Sequence, residues 1–489
     1  MAVVLGIDSS TQSTKVEARD LDTGQVVATG RATHPPTSPP VSEQDPEAWW
    51  QALVEACGQL GSVAADVVAV AVGAQQHGLV VIGADDRPLR PAKLWNDTTS
   101  AANADALVAA LGADRWADGC GSLPVAAFTV AKLAWVAEHE PQVAAAIAKV
   151  MLPHDYLTWR LCGEHVTDRG DASGTGWFDP AGGGYDDELL AAAGADLDPA
   201  AVLPRVLGPT EAAGTLTAAA ADALGLPIGA VVGPGTGDNM AAALGLGLRA
   251  GDVALSLGTS GTVYANSATP TADTSGHVAG FAGADGGFLP LVCTLNATKV
   301  TDTVAAWLGT DAPGLAELAV AARPSSATAD IPPAILVPYF DGERTPNLPA
   351  ASGLFDGLRT TTTREELARA AHDGVLCGLL DGVDALERAG VTTDGRLVLI
   401  GGGARSAAYR QRAADLRGGP VLVPDSDETV ATGAAVQAAA VHSAAAPDEV
   451  ATRWDLGSGA TIDPGADDGA AVRAAYAVAA ADVGARHHA

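Results

Sequence analysis

Two stretches of the chain, "VLGIDSSTQSTKVEA" at 4–18 and "ALSLGTSGTVYANS" at 254–267, share one design. Each is an apolar strand, a turn of Gly and hydroxyl residues, and a returning strand. They lie about half the chain apart. Hydroxyls and exposed backbone N–H groups in such a turn suit a phosphate. The echo points to a duplicated fold: two similar α/β halves, each offering a phosphate-sized turn to a nucleotide in a cleft between them. Hairpins with Ser, Thr and Gly are common, so the echo gains weight only from the residues around it. Length agrees with duplication, because 489 residues exceed one ordinary core.

Composition excludes several classes of partner. The formal net charge is −30, which disfavours nucleic acid or an anionic membrane surface. An anionic nucleotide is still admissible, since backbone N–H groups can bind phosphate locally in an acidic protein. Five cysteines, Cys57, Cys120, Cys162, Cys293 and Cys377, are scattered and form no CxxC pair. That argues against a disulfide framework or a zinc site and for a reducing cytosol. The opening "MAVVLGIDSS" lacks a basic segment and a cleavage site, so no signal peptide is expected. No apolar run approaches the ~18 residues of a membrane span. A cytoplasmic protein is the expectation.

Local patterns set the element order. Strands are expected at 3–8, 13–21 and 25–33, close enough to form an antiparallel meander. Residues 45–60 read as a helix with Asp45 as cap and Pro46 at its first position. Strands follow at 67–73 and 79–83, and the stretch 98–230 reads as mostly helical and Ala-rich. Further strands are expected at 230–233, 252–258 and 287–295, with 259–267 as a hairpin partner. Helices are expected at 297–308 and 364–388. Strand–turn–helix units are expected at 396–406 and 420–441.

Five constellations carry candidate chemistry. Asp8 precedes Ser9, Ser10, Thr11, Ser13 and Thr14, a setting for phosphate and for a water-shelled Mg²⁺ beside the carboxylate. Gly258 and Gly261 bracket Thr259 and Ser260, and glycine lets a backbone approach phosphate closely. In "LIGGGARS" (399–406), Gly402, Gly403 and Ala404 lie between a strand and a helix, where an anion or a nucleotide can rest. No G-x-G-x-x-G and no P-loop occurs, so neither a Rossmann nor a Walker site is the template. Gln75, Gln76 and His77, with Trp95 in "LWND" (94–97), have a composition suited to recognising sugar hydroxyls. Last, "GPGTGDNM" (233–240) places Asp238 and Asn239 at the end of a glycine-rich turn. Asp238 reads as a helix cap and as a base that takes a proton from an attacking hydroxyl, and the two are compatible: Asp238 or Asn239 can begin the helix while the Asp238 carboxylate stays available.

Ten segments in order resemble the FGGY carbohydrate kinases: "GIDSSTQSTK", "SEQDPEAWW", "QQHG", "LWND", "FTVAKLAWVAEHEP", "GDASGT", "GTGDNMAAALGLG", "LSLGTSGT", "GERTP" and "LIGGGARS". They span nearly the whole chain. The resemblance implies an α/β, actin-like, ribonuclease-H-like ATPase fold with two similar domains around a nucleotide- and sugar-binding cleft. Residues 1–248 would hold the sugar, the first phosphate turn and the base. Residues 249–489 would hold the second phosphate turn and the adenosine-side loop. It implies ATP and Mg²⁺, and phosphoryl transfer to the terminal hydroxyl of an open-chain ketose, D-xylulose. Ribulose, gluconate, glycerol or another polyol are the alternatives.

Carried over by position, Asp238 matches the catalytic base and Asp8 the metal-associated carboxylate, acting through water. Gln76 and His77 match the sugar-contacting pair, with Asn239 beside the base. Ser10 and Thr11 fall in the first phosphate turn, Gly258, Thr259 and Ser260 in the second, and Gly402, Gly403 and Ala404 on the adenosine side. A homodimer is also an expectation, as family members often form one. Departures are Gln76, where some relatives carry Met, the "DSSTQS" wording of the first turn, Ala127 and His372.

Overall fold

A computed structural model describes residues 1–322, 333–426, 428–465 and 468–487. The chain folds as two compact units. The first contains Met1–Leu248 and is joined by two later segments, Ala268–Leu289 and Glu428–Gly457. The second contains Arg249–Ser267, Pro290–Asp427 and Ser458–Ala489. A division at 248/249 by chain order therefore describes the first unit only up to Leu248, because a helix from the far end of the chain is built into it.

In the first unit, β1 (Val3–Ser9), β2 (Ser13–Asp20) and β3 (Val26–Thr33) form the expected antiparallel meander. On its other edge β1 pairs in parallel with the strand Val67–Ala74. Every residue of β1 is buried, as a central strand covered on both faces demands. Its side chains alternate. Val3, Leu5 and Ile7 join a core with Trp49, Leu53 and Leu157, while Val4 joins Ala69, Ala71, Ala435 and Ala439 on the opposite face. Helix α1 (Pro46–Gly58) covers the first face, and Asp45 caps it by accepting from the Glu47 N–H at 3.0 Å.

The second face is covered by the helix Thr429–Ser443, rich in Ala and carrying Gly433. Its small residues let backbones touch. A Cβ on Gly6 of β1 would lie 1.9 Å from the Ala431 carbonyl oxygen. The same helix packs on the short helix Asp238–Gly245. There a Cβ on Gly433 would lie 1.8 Å from the Ala241 oxygen, and one on Gly245 2.0 Å from the Thr429 oxygen.

The second unit carries its own mixed sheet, in the order Phe288–Thr294, Gly261–Ala265, Val253–Leu257, Leu397–Ile400, Val421–Pro424, Gly459–Ile462. Its first hairpin is antiparallel and its Val253–Leu257 strand pairs in parallel with Leu397–Ile400, repeating the β2–β1–Val67 arrangement of the first unit. The helix Arg364–Arg388 begins with a Thr363/Glu366 capping box.

Two expectations need adjustment. The stretch 98–230 is not simply helical. It includes the two- and three-residue strands Lys149–Met151, Val166–Asp168, Phe178–Asp179 and Arg205–Leu207, too short to impose a period on the sequence. The hairpin partner expected from 259 begins at Gly261, because Thr259 and Ser260 form the turn itself.

The close approach at Gly433 yields a direct prediction. Gly433→Ala should lower stability by about 2 kcal/mol through overpacking, read as a lower midpoint in thermal unfolding followed by circular dichroism.

Candidate active site

The glycine-rich turn is held from several directions. The Gly233 N–H donates to the Val70 carbonyl at 2.8 Å. Gly235 has φ +74°, and a Cβ there would meet the His154 ring at 2.6 Å and the Val72 oxygen at 2.9 Å, so only glycine fits. Its carbonyl accepts from the buried Gln437 amide at 3.2 Å. Thr236 and Gly237 pair in parallel with Gly73 and Ala74, and Gly237 caps the following helix. Asp238 is the first helical residue, which frees its carboxylate from the capping role. Its Oδ1 accepts from the Asn239 N–H at 2.8 Å and from Asn239 Nδ2 at 3.1 Å. Asn239 Nδ2 also donates to Gln76 Oε1 at 2.7 Å.

Asp238 and Asp8 lie close enough to repel one another. Asp238 keeps an open face, but the dense protein around it excludes most of the water its charge needs. That burial, with the charges of Asp8 and Asp171, pushes its carboxyl up to about 7. Asp8 is buried near the end of β1. Burial raises it to about 6, against the lowering pull of Ser10 and Lys15. The Ser10 hydroxyl donates to Asp8 Oδ1 at 2.5 Å, and Lys15 Nζ stands 3.7 Å from Asp8 Oδ2 and 2.5 Å from Glu428 Oε2.

His77 adopts φ +65°, which a non-glycine residue rarely holds without a constraint. Its Nδ1 is 3.1 Å from the Gly174 oxygen, and its ring stacks on Phe128 at 5.1 Å with Phe281 at 5.5 Å. Gln75 and Gln76 are buried, and each has an amide nitrogen with no partner among the described residues. Trp95 is 43 % exposed. Its Nε1 donates to Thr11 Oγ1 at 2.9 Å, and Thr11 donates to Gln75 Oε1 at 3.2 Å. The Thr11 hydroxyl is thus engaged as a strut between Trp95 and Gln75.

The second unit has a separate feature, a cavity of about 1000 Å³ lined by Gly258, Thr259, Thr298, Gly402, Gly403 and Tyr409 among others. The Thr298 N–H and hydroxyl both donate to the Gly258 oxygen, at 3.0 and 2.9 Å. Gly402 is exposed, and a Cβ there would meet nothing within 4 Å, so its backbone is open to a ligand. Ser260 is exposed and Ala404 buried; neither lines the cavity.

The structure therefore gathers Asp8, Ser10, Thr11, Gln76, His77, Trp95, Asp238 and Asn239 in the first unit. Gly258, Thr259, Gly402 and Gly403 line one cavity of the second. Sequence reasoning did not single out Lys15, Phe281 or Asp171. Lys15 and Asp171 stood inside "GIDSSTQSTK" and "GDASGT" without a role; Phe281 had no local signal. Among the described residues, no group of three or more His, Cys, Asp or Glu side chains is arranged to hold a metal ion. No helix among them is long and apolar enough to cross a membrane.

A buried aspartate beside a hydroxyl turn, a second aspartate at a helix start and a glycine-lined nucleotide-sized cavity define the equipment of a phosphotransferase. Residues 3–245 match the N-terminal domain and residues 253–442 the C-terminal domain of the FGGY family of carbohydrate kinases. The chain belongs to this family and has its actin-like ATPase fold. It is 50 % identical over 464 residues to the xylulose kinase of Streptomyces coelicolor, covering 94 % of this chain and 92 % of that one. It is 38 % identical to the xylulose kinase of Escherichia coli, covering 85 % and 84 %. The crystal structure of xylulose kinase from Bifidobacterium adolescentis is 42 % identical with a TM-score of 0.87, covering 98 % of this chain and 99 % of that one.

The Gln76–Asn239 hydrogen bond gives a prediction. Gln76→Met removes the acceptor that orients Asn239 and should raise KM for the sugar about fivefold, roughly the 1 kcal/mol of one hydrogen bond. Steady-state kinetics at saturating ATP measures it.

Proposed function

We propose that the chain transfers the γ-phosphoryl group of ATP to the terminal hydroxyl of D-xylulose, giving D-xylulose 5-phosphate and ADP. Asp238 is the general base. The observation that carries this reading is the Asp238 carboxylate, anchored by Asn239, which Gln76 in turn holds, beside a second acid, Asp8. The substrate follows the relatives named xylulose kinase. The hydroxyl oxygen attacks the γ-phosphorus, the bond to the β,γ-bridging oxygen breaks, and the hydroxyl proton passes to Asp238. Asn239 orients the carboxylate, and Gln76 orients Asn239. The partnerless amide nitrogen of Gln76 is a donor for a sugar oxygen, and His77 offers an edge fixed by Phe128 and Phe281. Gly258, Thr259, Gly402 and Gly403 hold the nucleotide.

Mg²⁺ fits the first unit. Two mutually repelling acids, both raised by burial, are relieved by a nearby cation. One carboxylate with water and substrate phosphates is an ordinary Mg²⁺ environment. Asp8 would hold it through water, and the ion would neutralise charge on the phosphoryl oxygens. Five scattered cysteines with no CxxC pair suit a reducing, ATP-supplied cytoplasm.

A coupled ADP-release assay with D-xylulose, ribulose, gluconate and glycerol tests the substrate. D-xylulose should give the highest kcat/KM; a clear preference for another member of the panel overturns the assignment. Asp238→Asn should lower kcat by at least about a thousandfold while leaving sugar binding within about threefold, read by calorimetry. The base works ionised, so acid inactivates it. kcat/KM for the sugar should fall below about pH 7, tenfold per unit once Asp238 is protonated, with bound Mg²⁺ moving the limb to lower pH.

A further inference from the structure

Behind the glycine-rich turn lies a charge cluster that the proposed chemistry does not use. His154 is fully buried, and Asp155, Asp168 and Asp171 around it are nearly so. His154 Nδ1 is 2.6 Å from Asp171 Oδ2, its Nε2 is 3.1 Å from Asp155 Oδ1, and Asp168 Oδ1 lies 3.9 Å away. Burial by itself would strip the proton from the imidazole, but the three carboxylates outweigh it and hold the ring protonated, at about 9. Each ring nitrogen lies close to a carboxylate oxygen, and Nδ1 is the one that is hydrogen-bonded, to Asp171 Oδ2. A buried cation among three acids is costly to assemble unless it organises something.

Its contacts lead to both halves of the first unit's site. Asp168 accepts from the Thr236 hydroxyl at 2.7 Å, two residues before Asp238. The His154 ring lies under Gly235. Asp168 also accepts from the N–H groups of Gly170 and Asp171, which pins the segment carrying Asp171. Asp171 faces the backbone N–H of His77, and its charge reaches Asp238. Asp155 accepts from the Leu152 N–H at 2.7 Å and so ties the cluster to the start of its own helix, Pro153–Cys162.

We infer that the His154 cation is a positioning residue for phosphoryl transfer: through Asp171 and Asp168 it holds His77 and the Thr236–Asp238 segment in register, and it offsets the negative charge that Asp171 directs at Asp238. His154 touches neither Asp238 nor, in this reading, the sugar. It acts through its carboxylates. The charge, rather than the ring, is the essential property. Neutralising it leaves three buried acids without a counter-ion and lets the turn shift.

The inference rests on Asp238 as the base, so the test carries Asp238→Asn in parallel. In the ADP-release assay His154→Gln, which keeps size and hydrogen bonding but not charge, should lower kcat at least about tenfold with KM for the sugar within about threefold. His154→Lys, which restores a cation without the ring, should recover most of that loss. A purely structural role would order the two the other way, since Lys fits the ring's place less well than Gln and would then lose at least as much activity. A folded His154→Gln enzyme with kcat within about twofold of the parent, or equal losses in the Gln and Lys variants, overturns the inference. If His154→Gln does not fold, as judged by circular dichroism, His154→Lys decides alone: kcat near the parent's supports the role of charge, and a tenfold loss or a failure to fold overturns it. An active Asp238→Asn enzyme instead overturns the base assignment, whatever the His154 variants do.

Discussion

The first unit depends on three places where backbones meet without side chains between them. At Gly6, Gly245 and Gly433 there is no room for a single methyl group. The helix Thr429–Ser443 uses these approaches to press on β1, which carries Asp8, and on the helix that Asp238 begins. One helix thereby sets the position of both acids. Close-packed interiors transmit shifts instead of absorbing them, so a methyl group at Gly433 displaces more than its own neighbours. Gln437, on the same helix, adds a hydrogen bond to the turn before Asp238.

That rigidity has an electrostatic consequence. Asp8 and Asp238 are held near each other in a poorly solvated region where neither would choose to be ionised. In water such a pair would move apart. Here the backbone forbids it, and the site keeps a standing demand for a cation and for a proton. The proposed phosphoryl transfer would draw on both demands: a metal ion beside the phosphates, and a carboxylate basic enough to take a hydroxyl proton near neutral pH. His154 answers the same problem one layer deeper, as a fixed cation among Asp155, Asp168 and Asp171.

Much of this was legible in the chain because it depends on short-range geometry. The β1–β2 turn, the Asp45 cap and the start of the helix at Arg364 follow from neighbours a few residues apart. The Asp238 ambiguity could not be resolved that way. Whether it caps the helix or stands free turns on Gly237 adopting the cap conformation, and that follows from pairing with Gly73 and Ala74, far off in sequence. The role of Thr11 was equally hidden. Its hydroxyl looked available for phosphate, yet Trp95 and Gln75 engage it. Phe281 reaches His77 from a segment with no pattern that marks it.

The sequence by itself determined the duplicated strand–turn–strand design, the absence of a dinucleotide or P-loop motif, and which polar residues cluster at strand ends. These are properties of period, turn chemistry and spacing, which act over a few residues. Only the tertiary structure decided that the helix Thr429–Ser443 belongs to the first unit, that burial and the Asp8 charge raise the affinity of Asp238 for a proton, and that His154 sits among three acids. Those outcomes depend on which surfaces are small enough to touch and on how little water is left between charges, and both are settled by packing that local sequence pattern does not display.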